Sequence, residues 1–152
     1  MYLVLIILFN QELQAQTKII SLSSYFKGKG VIFEKEYKSL IDIKDYEKSF
    51  TPSLEEIKIV ENLFLKKIES KRKIKKTPKK EFYNYYRQYL GYINSNQEKV
   101  IMVNMLNFNK KSKAKRMFEN WDKDYVLGFG EFYEENQFIY TINLLKKTLQ
   151  IC

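Results

Sequence analysis

The chain contains no histidine, and its only cysteine is Cys152. Without histidine there can be no Ser-His-Asp triad, no Cys-His pair and no imidazole-ligated metal. A single cysteine excludes an intrachain disulfide and a thiolate zinc cluster, so cysteine usage says nothing about compartment. Neither a Walker loop nor a GxGxxG turn occurs. Two prolines and five glycines leave no room for a long flexible linker. Arginine is scarce: only Arg72, Arg87 and Arg116 stand among 27 basic residues. The planar guanidinium grips phosphate and guanine edges in a way an ammonium does not, so a lysine-dominated charge argues against a dedicated nucleic-acid reader. The longest apolar run, Tyr2 to Phe9, is far too short to span a bilayer.

What is present describes an ordinary folded domain. A length of 152 residues fits one domain, and a 45% hydrophobic content can build a core. Twelve tyrosines and eleven phenylalanines favour strands, where aromatic rings pack on a pleated surface. The net charge of +9 points to an acidic partner such as nucleic acid, anionic lipid or an acidic glycan. The competing explanation is compositional, since a chain rich in Lys, Ile, Asn, Tyr and Phe is what an AT-rich genome encodes.

The N-terminus reads YLVLIILF, then polar Asn10, Gln11 and Glu12, then Leu13-Gln14-Ala15-Gln16-Thr17. A short apolar core followed by a small residue is the pattern of a secretory signal peptide. The expected cut falls between Ala15 and Gln16, leaving residues 16–152 as a single exported domain. No Lys or Arg precedes the apolar run, and Leu13 is large for its place before the cut. The plain alternative is a buried first strand or core helix.

Along the body, residues 31–37 predict a strand entered from the Gly28-Lys-Gly30 turn, and residues 41–50 predict a loop. The clearest element begins near Thr51-Pro52-Ser53. Either Thr51 caps with Pro52 at the first helical position, or Ser53 caps with Glu56 closing a capping box. Leu54, Ile57, Val60, Phe64 and Ile68 then make one apolar helical face. Glu55, Glu56 and Glu61 sit early and Lys66, Lys67, Lys71 and Arg72 late, complementing the helix dipole. Residues 81–93 predict a long strand, 94–97 a turn, 98–108 a second strand, and 112–120 a short helix. A strand is expected over 124–128, an irregular stretch around Gly130, and a closing hairpin from 137–144 and 148–151. One amphipathic helix needs a sheet to bury against. The predicted fold class is therefore α+β, one main helix packed on a curved antiparallel sheet, a cystatin-like roll.

The segment YRQYLGYINSNQEKVIMVNMLNF, residues 86–108, resembles small exported proteins of Bacteroidetes bacteria. The resemblance rests on Arg87, Gln88, Tyr89, Gly91, Tyr92, Asn104 and Trp121, and on the LQAQT that ends the N-terminal apolar stretch. It covers about half the chain, and its motifs are not catalytic. It implies an exported location and a cystatin-like topology more than any activity. The Gln-x-Val-x-Gly loop of cysteine-protease inhibitors is absent, because Gln88-Tyr89-Leu90-Gly91 has the wrong spacing.

Three surface features remain as candidates. The basic residues Lys71, Arg72, Lys73, Lys75 and Lys76, beside Tyr83, Tyr85 and Tyr89, form the candidate binding surface, since charge next to tyrosine can grip a single strand by stacking. A solvated helix end is the plain alternative. A second basic run spans Lys110, Lys111, Lys113, Lys115 and Arg116. Glu131, Glu134 and Glu135, with Asp122 and Asp124 nearby, could in principle act as a carboxylate pair, but an acidic solvated loop explains them as well. No metal site and no cofactor are expected. The sequence favours a non-enzymatic secreted or periplasmic binding module with an envelope or extracellular partner. The alternative is a basic cytoplasmic nucleic-acid-binding domain with residues 1–9 in its core.

Overall fold

A sequence with one amphipathic helix and several aromatic strands must bury at least one face of its sheet, and the computed structural model shows how. It describes residues 16–39, 41–71, 82–109 and 111–152. The proposed signal segment through Ala15 lies outside the described residues, as do Arg72, Lys73, Lys75 and Lys76.

The strands are β1 Thr17–Ile20, β2 Gly30–Phe33, β3 Tyr46–Phe50, β4 Tyr86–Asn94, β5 Lys99–Leu106, β6 Gln137–Asn143 and β7 Thr148–Ile151. The helices are α1 Leu54–Lys71, α2 Lys111–Met117 and α3 Glu131–Asn136. One seven-stranded sheet runs β1-β2-β4-β5-β6-β7, with β3 also paired to β4. The long strand β4 is the hub. Its first half pairs with β2 in parallel, Gly30 opposite Arg87 and Ile32 opposite Tyr89. Its second half pairs with β3 antiparallel, Phe50 opposite Gly91. Its other edge pairs along its length with β5, from Tyr86–Leu106 to Ile93–Lys99.

The expected roll of one helix on an antiparallel sheet is corrected here. The sheet is mixed, it dominates the molecule, and its far face is covered too. The reason is topological. The chain from β2 to β4 passes through β3 and α1, a connection long enough to return β4 parallel to β2. β3 itself falls inside the segment expected to be a loop. Its polar sequence YEKSF is exposed over Tyr46–Lys48, as suits a sheet edge. The strand expected at 124–128 is not formed, since these residues join no ladder, and α3 takes the place of part of the irregular stretch.

Ser53, not Thr51, caps α1. Its Oγ accepts from the Glu56 amide at 3.2 Å and its amide donates to Glu56 Oε2 at 2.9 Å, a reciprocal capping box. Ile57, Val60 and Phe64 bury against Tyr89, Ile101, Val103, Met105, Tyr140 and Ile142. Leu54, expected on that face, is 41% exposed. Alternate residues of the same strands, Val31, Phe33, Leu90, Tyr92, Val100 and Met102, form a second core beneath Tyr37, Ile41, Ile43, Tyr125 and Trp121. Glu61, read as one of the early acidic residues that complement the dipole of α1, is wholly buried. Arg87 Nε donates to its Oε1 at 3.3 Å, and Tyr89 Oη donates to the same oxygen at 2.8 Å. Arg87 also donates to the carbonyls of Tyr85 and Phe82, at 2.7 and 2.8 Å.

Two exposed ion pairs clamp the lower end of the sheet. Lys99 reaches Glu56 and Lys146 reaches Glu98, at 2.7 and 2.8 Å. Burial alone would raise the Glu56 carboxyl, but hydrogen bonds from Lys99 and Ser53 hold it below its ordinary value. Lys146, then Asn94 and Asn143, hold Glu98 down. A carboxyl lowered by folding stabilises above its unfolded value and loses that contribution as pH falls through the folded one. The stability gap between the wild type and Glu98→Gln should therefore be present at neutral pH and close below about pH 4.5. Thermal melts of both proteins across that range would measure it, and a gap independent of pH would contradict the clamp.

Candidate functional site

The far face of the sheet carries an array of amides where an apolar row would be expected. Gln88 on β4, Asn104 on β5 and Gln137 on β6 lie on neighbouring strands, with Gln88 directly opposite Asn104. Gln88 and Asn104 are fully buried. Buried amides need partners, and these bond to one another and to the backbone of the segment after α2. Gln88 Nε2 donates to the carbonyls of Trp121 and Asp124, at 2.6 and 2.8 Å. Its Oε1 accepts from Asn104 Nδ2 at 2.8 Å and from the Val126 amide at 2.9 Å. Asn104 Nδ2 and Gln137 Nε2 both donate to the Val126 carbonyl at 2.7 Å. Gln137 Nε2 also reaches Asn104 Oδ1 at 3.1 Å, and the Gly128 amide donates to Gln137 Oε1 at 3.4 Å. The Tyr125 amide donates to Tyr37 Oη at 2.9 Å. A segment with no strand partner is thus pinned at nearly every second residue.

That frame ends in Gly128-Phe129-Gly130. Gly128 lies under the Tyr133 ring, where a Cβ would collide with the ring carbons, and Gly130 has φ +93°. Tyr133 is itself held, its hydroxyl donating to the Met117 carbonyl at 2.9 Å. The result is an aromatic side chain projecting from a braced turn. Phe129 is 86% exposed and the nearby Leu127 is 47% exposed. Glu131, Glu134 and Glu135 stand exposed on α3, the helix that follows the turn. None of the three makes an ion pair among the described residues.

Of the eight residues singled out as a binding surface, Arg72, Lys73, Lys75 and Lys76 lie outside the described residues. Tyr85 and Tyr89 are buried beneath α1, so no base or ring can stack on them. Tyr83 is exposed and donates to the Ser23 carbonyl at 2.9 Å. Lys71 ends α1, and Gln16 is the first described residue. The sequence reading missed Phe129. The available signal was a large apolar residue between two glycines, which neither helix nor strand periodicity can accommodate.

Other features offer less. Trp121, Tyr86 and Phe108 line a cavity of about 470 Å³, but its charged rim mixes Lys29 and Lys115 with Glu119 and Asp122. Burial pushes the Cys152 thiol up, which disfavours the nucleophilic thiolate. Burial likewise pushes the Tyr89, Tyr125 and Tyr140 phenols well above their usual range, so they stay protonated. Among the described residues no group of three His, Cys, Asp or Glu side chains is gathered to hold a metal, and no helix is long and apolar enough to cross a membrane. No protein-family model, curated protein or solved structure matches the chain.

Proposed function

We propose that the protein is a non-enzymatic interaction module, exported by its N-terminal segment, that docks onto a protein partner through Phe129. The observation that carries this reading is a phenylalanine 86% exposed at the tip of a turn whose flanks are pinned by buried side chains. A rigidly presented aromatic loses little conformational freedom on binding, which is why such residues dominate binding energetics. Chemistry on a bound substrate has less support. The chain has no histidine, its one thiol is disfavoured as thiolate, and its buried phenols remain neutral. Export rests on the YLVLIILF run and Ala15.

Phe129→Ala should leave the melting temperature essentially unchanged, because so exposed a ring contributes little to the core. It should cut recovery of a specific partner from envelope extract by at least about tenfold. Equal recovery by both proteins would overturn the reading. N-terminal sequencing of the protein from its native cell tests export separately, and an intact Met1 on the mature cytoplasmic protein would sink it.

A further inference from the structure

The chain also carries a surface shaped to receive its own turn. Beside the C-terminal hairpin, Leu63 of α1 and Leu149 of β7 line a shallow, open cavity of about 380 Å³. Lys66, Lys67 and Lys147 surround it. An apolar lining edged by Lys66 and Lys147 complements an apolar tip that leads into the acidic helix α3. We infer that the partner of Phe129 is a second copy of this chain. The ring enters the Leu63–Leu149 cavity while the acidic residues of α3, Glu131, Glu134 and Glu135, meet Lys66 and Lys147. The inference rests on the docking role proposed for Phe129.

The topology decides what kind of assembly follows. The cavity lies on the α1 face of the sheet, at the β6–β7 turn end, where Asn143 pairs with Thr148. The Phe129 turn is tied to the opposite face, at the Gln137 end of β6. The two surfaces thus sit on opposite faces and at opposite ends of a seven-residue strand. A two-fold axis cannot easily satisfy both contacts between the same two copies. The contact is head-to-tail, and repetition gives a ring or an open chain. Exposed ion pairs are individually weak and screened by salt, so the contact is salt-sensitive and forms at high local concentration.

Sedimentation of the intact mature protein tests this. At low ionic strength the average mass should rise with concentration beyond a dimer, up to about 1 mM, and fall back as salt is added. Phe129→Ala should be monomeric, as should Lys66→Glu/Lys147→Glu; Lys66→Glu alone serves if the double variant folds poorly. Mixed together, the two variants should form a one-to-one complex and stop there, since only one intact tip and one intact cavity remain. A wild type monomeric at about 1 mM would overturn the inference. So would association that survives Phe129→Ala, or failure of the mixed variants to pair. Capture of a different protein that still depends on Phe129 would overturn self-docking while leaving the interaction-module reading in place.

Discussion

Arg87→Ala should lower the unfolding free energy by about 3–5 kcal/mol, the range for leaving one partner of a buried ion pair uncompensated. Glu61, a residue of α1, is wholly buried, and Arg87 is the cation beside it, 3.3 Å from Oε1. The substitution also strips the Tyr85 and Phe82 carbonyls of their donors, and removes the guanidinium stacked 5.0 Å over the Phe26 ring. For a chain of this length the loss corresponds to a drop in melting temperature of roughly 6–20 °C. The double change Glu61→Leu/Arg87→Met should recover much of it, since apolar residues of similar size often replace a buried pair without loss. Recovery should stay incomplete, because Tyr89 Oη then lacks its acceptor. Denaturant titrations of the three proteins would measure the effect. A loss below about 1 kcal/mol for Arg87→Ala would mean that the buried carboxylate does not depend on this partner.

Gln88→Leu should act on the binding turn while leaving Phe129 itself intact. It removes the donor to the Trp121 and Asp124 carbonyls and the acceptor for Asn104 and Val126. Buried groups left without partners cost about 1–3 kcal/mol each, and partial relaxation of the segment should bring the total to about 2–4 kcal/mol. Released from the sheet, residues 121–130 should exchange their amide protons faster, Val126 and Gly128 above all. The β4–β5 ladder should keep its protection. Binding through Phe129 should weaken with it, because the turn would have to be ordered again on docking. Unchanged exchange at Val126 would show that the amide array does not hold the turn.

Much of the local structure could be read along the chain. The Ser53-x-x-Glu56 spacing, the apolar stripe of α1, the Asn94 turn and the β6–β7 hairpin each depend on residues a few positions apart. Glu61 was partly legible. It stands four residues after Ile57 and three before Phe64, on the apolar stripe itself. A carboxylate there needs a cation, but the cation is Arg87, 26 residues on. Period-two spacing puts Tyr83, Tyr85 and Tyr89 on one strand face and Tyr86 and Tyr92 on the other. Tyr85 and Tyr89 do share the α1 face, but Tyr83 lies exposed ahead of β4. The spacing could not say that both faces would be covered, because covering depends on loops that come from elsewhere. β3 was invisible for the opposite reason: its polar residues suit an edge, and only pairing with β4 makes it a strand.

The binding turn shows the same division. Gly128-Phe129-Gly130 announces an unusual backbone, and the sequence alone excluded histidine chemistry, an intrachain disulfide and a lipid-spanning segment among its apolar runs. Whether Phe129 points into a core or into water was settled by Gln88, Asn104 and Gln137, three amides from three strands that meet only once the sheet has formed. Short-range rules act through hydrogen bonds and periodicity within a few residues, so they can be read in one dimension. Burial, parallel pairing and the fate of a buried charge are set by contacts between distant segments, and those exist only in the folded chain.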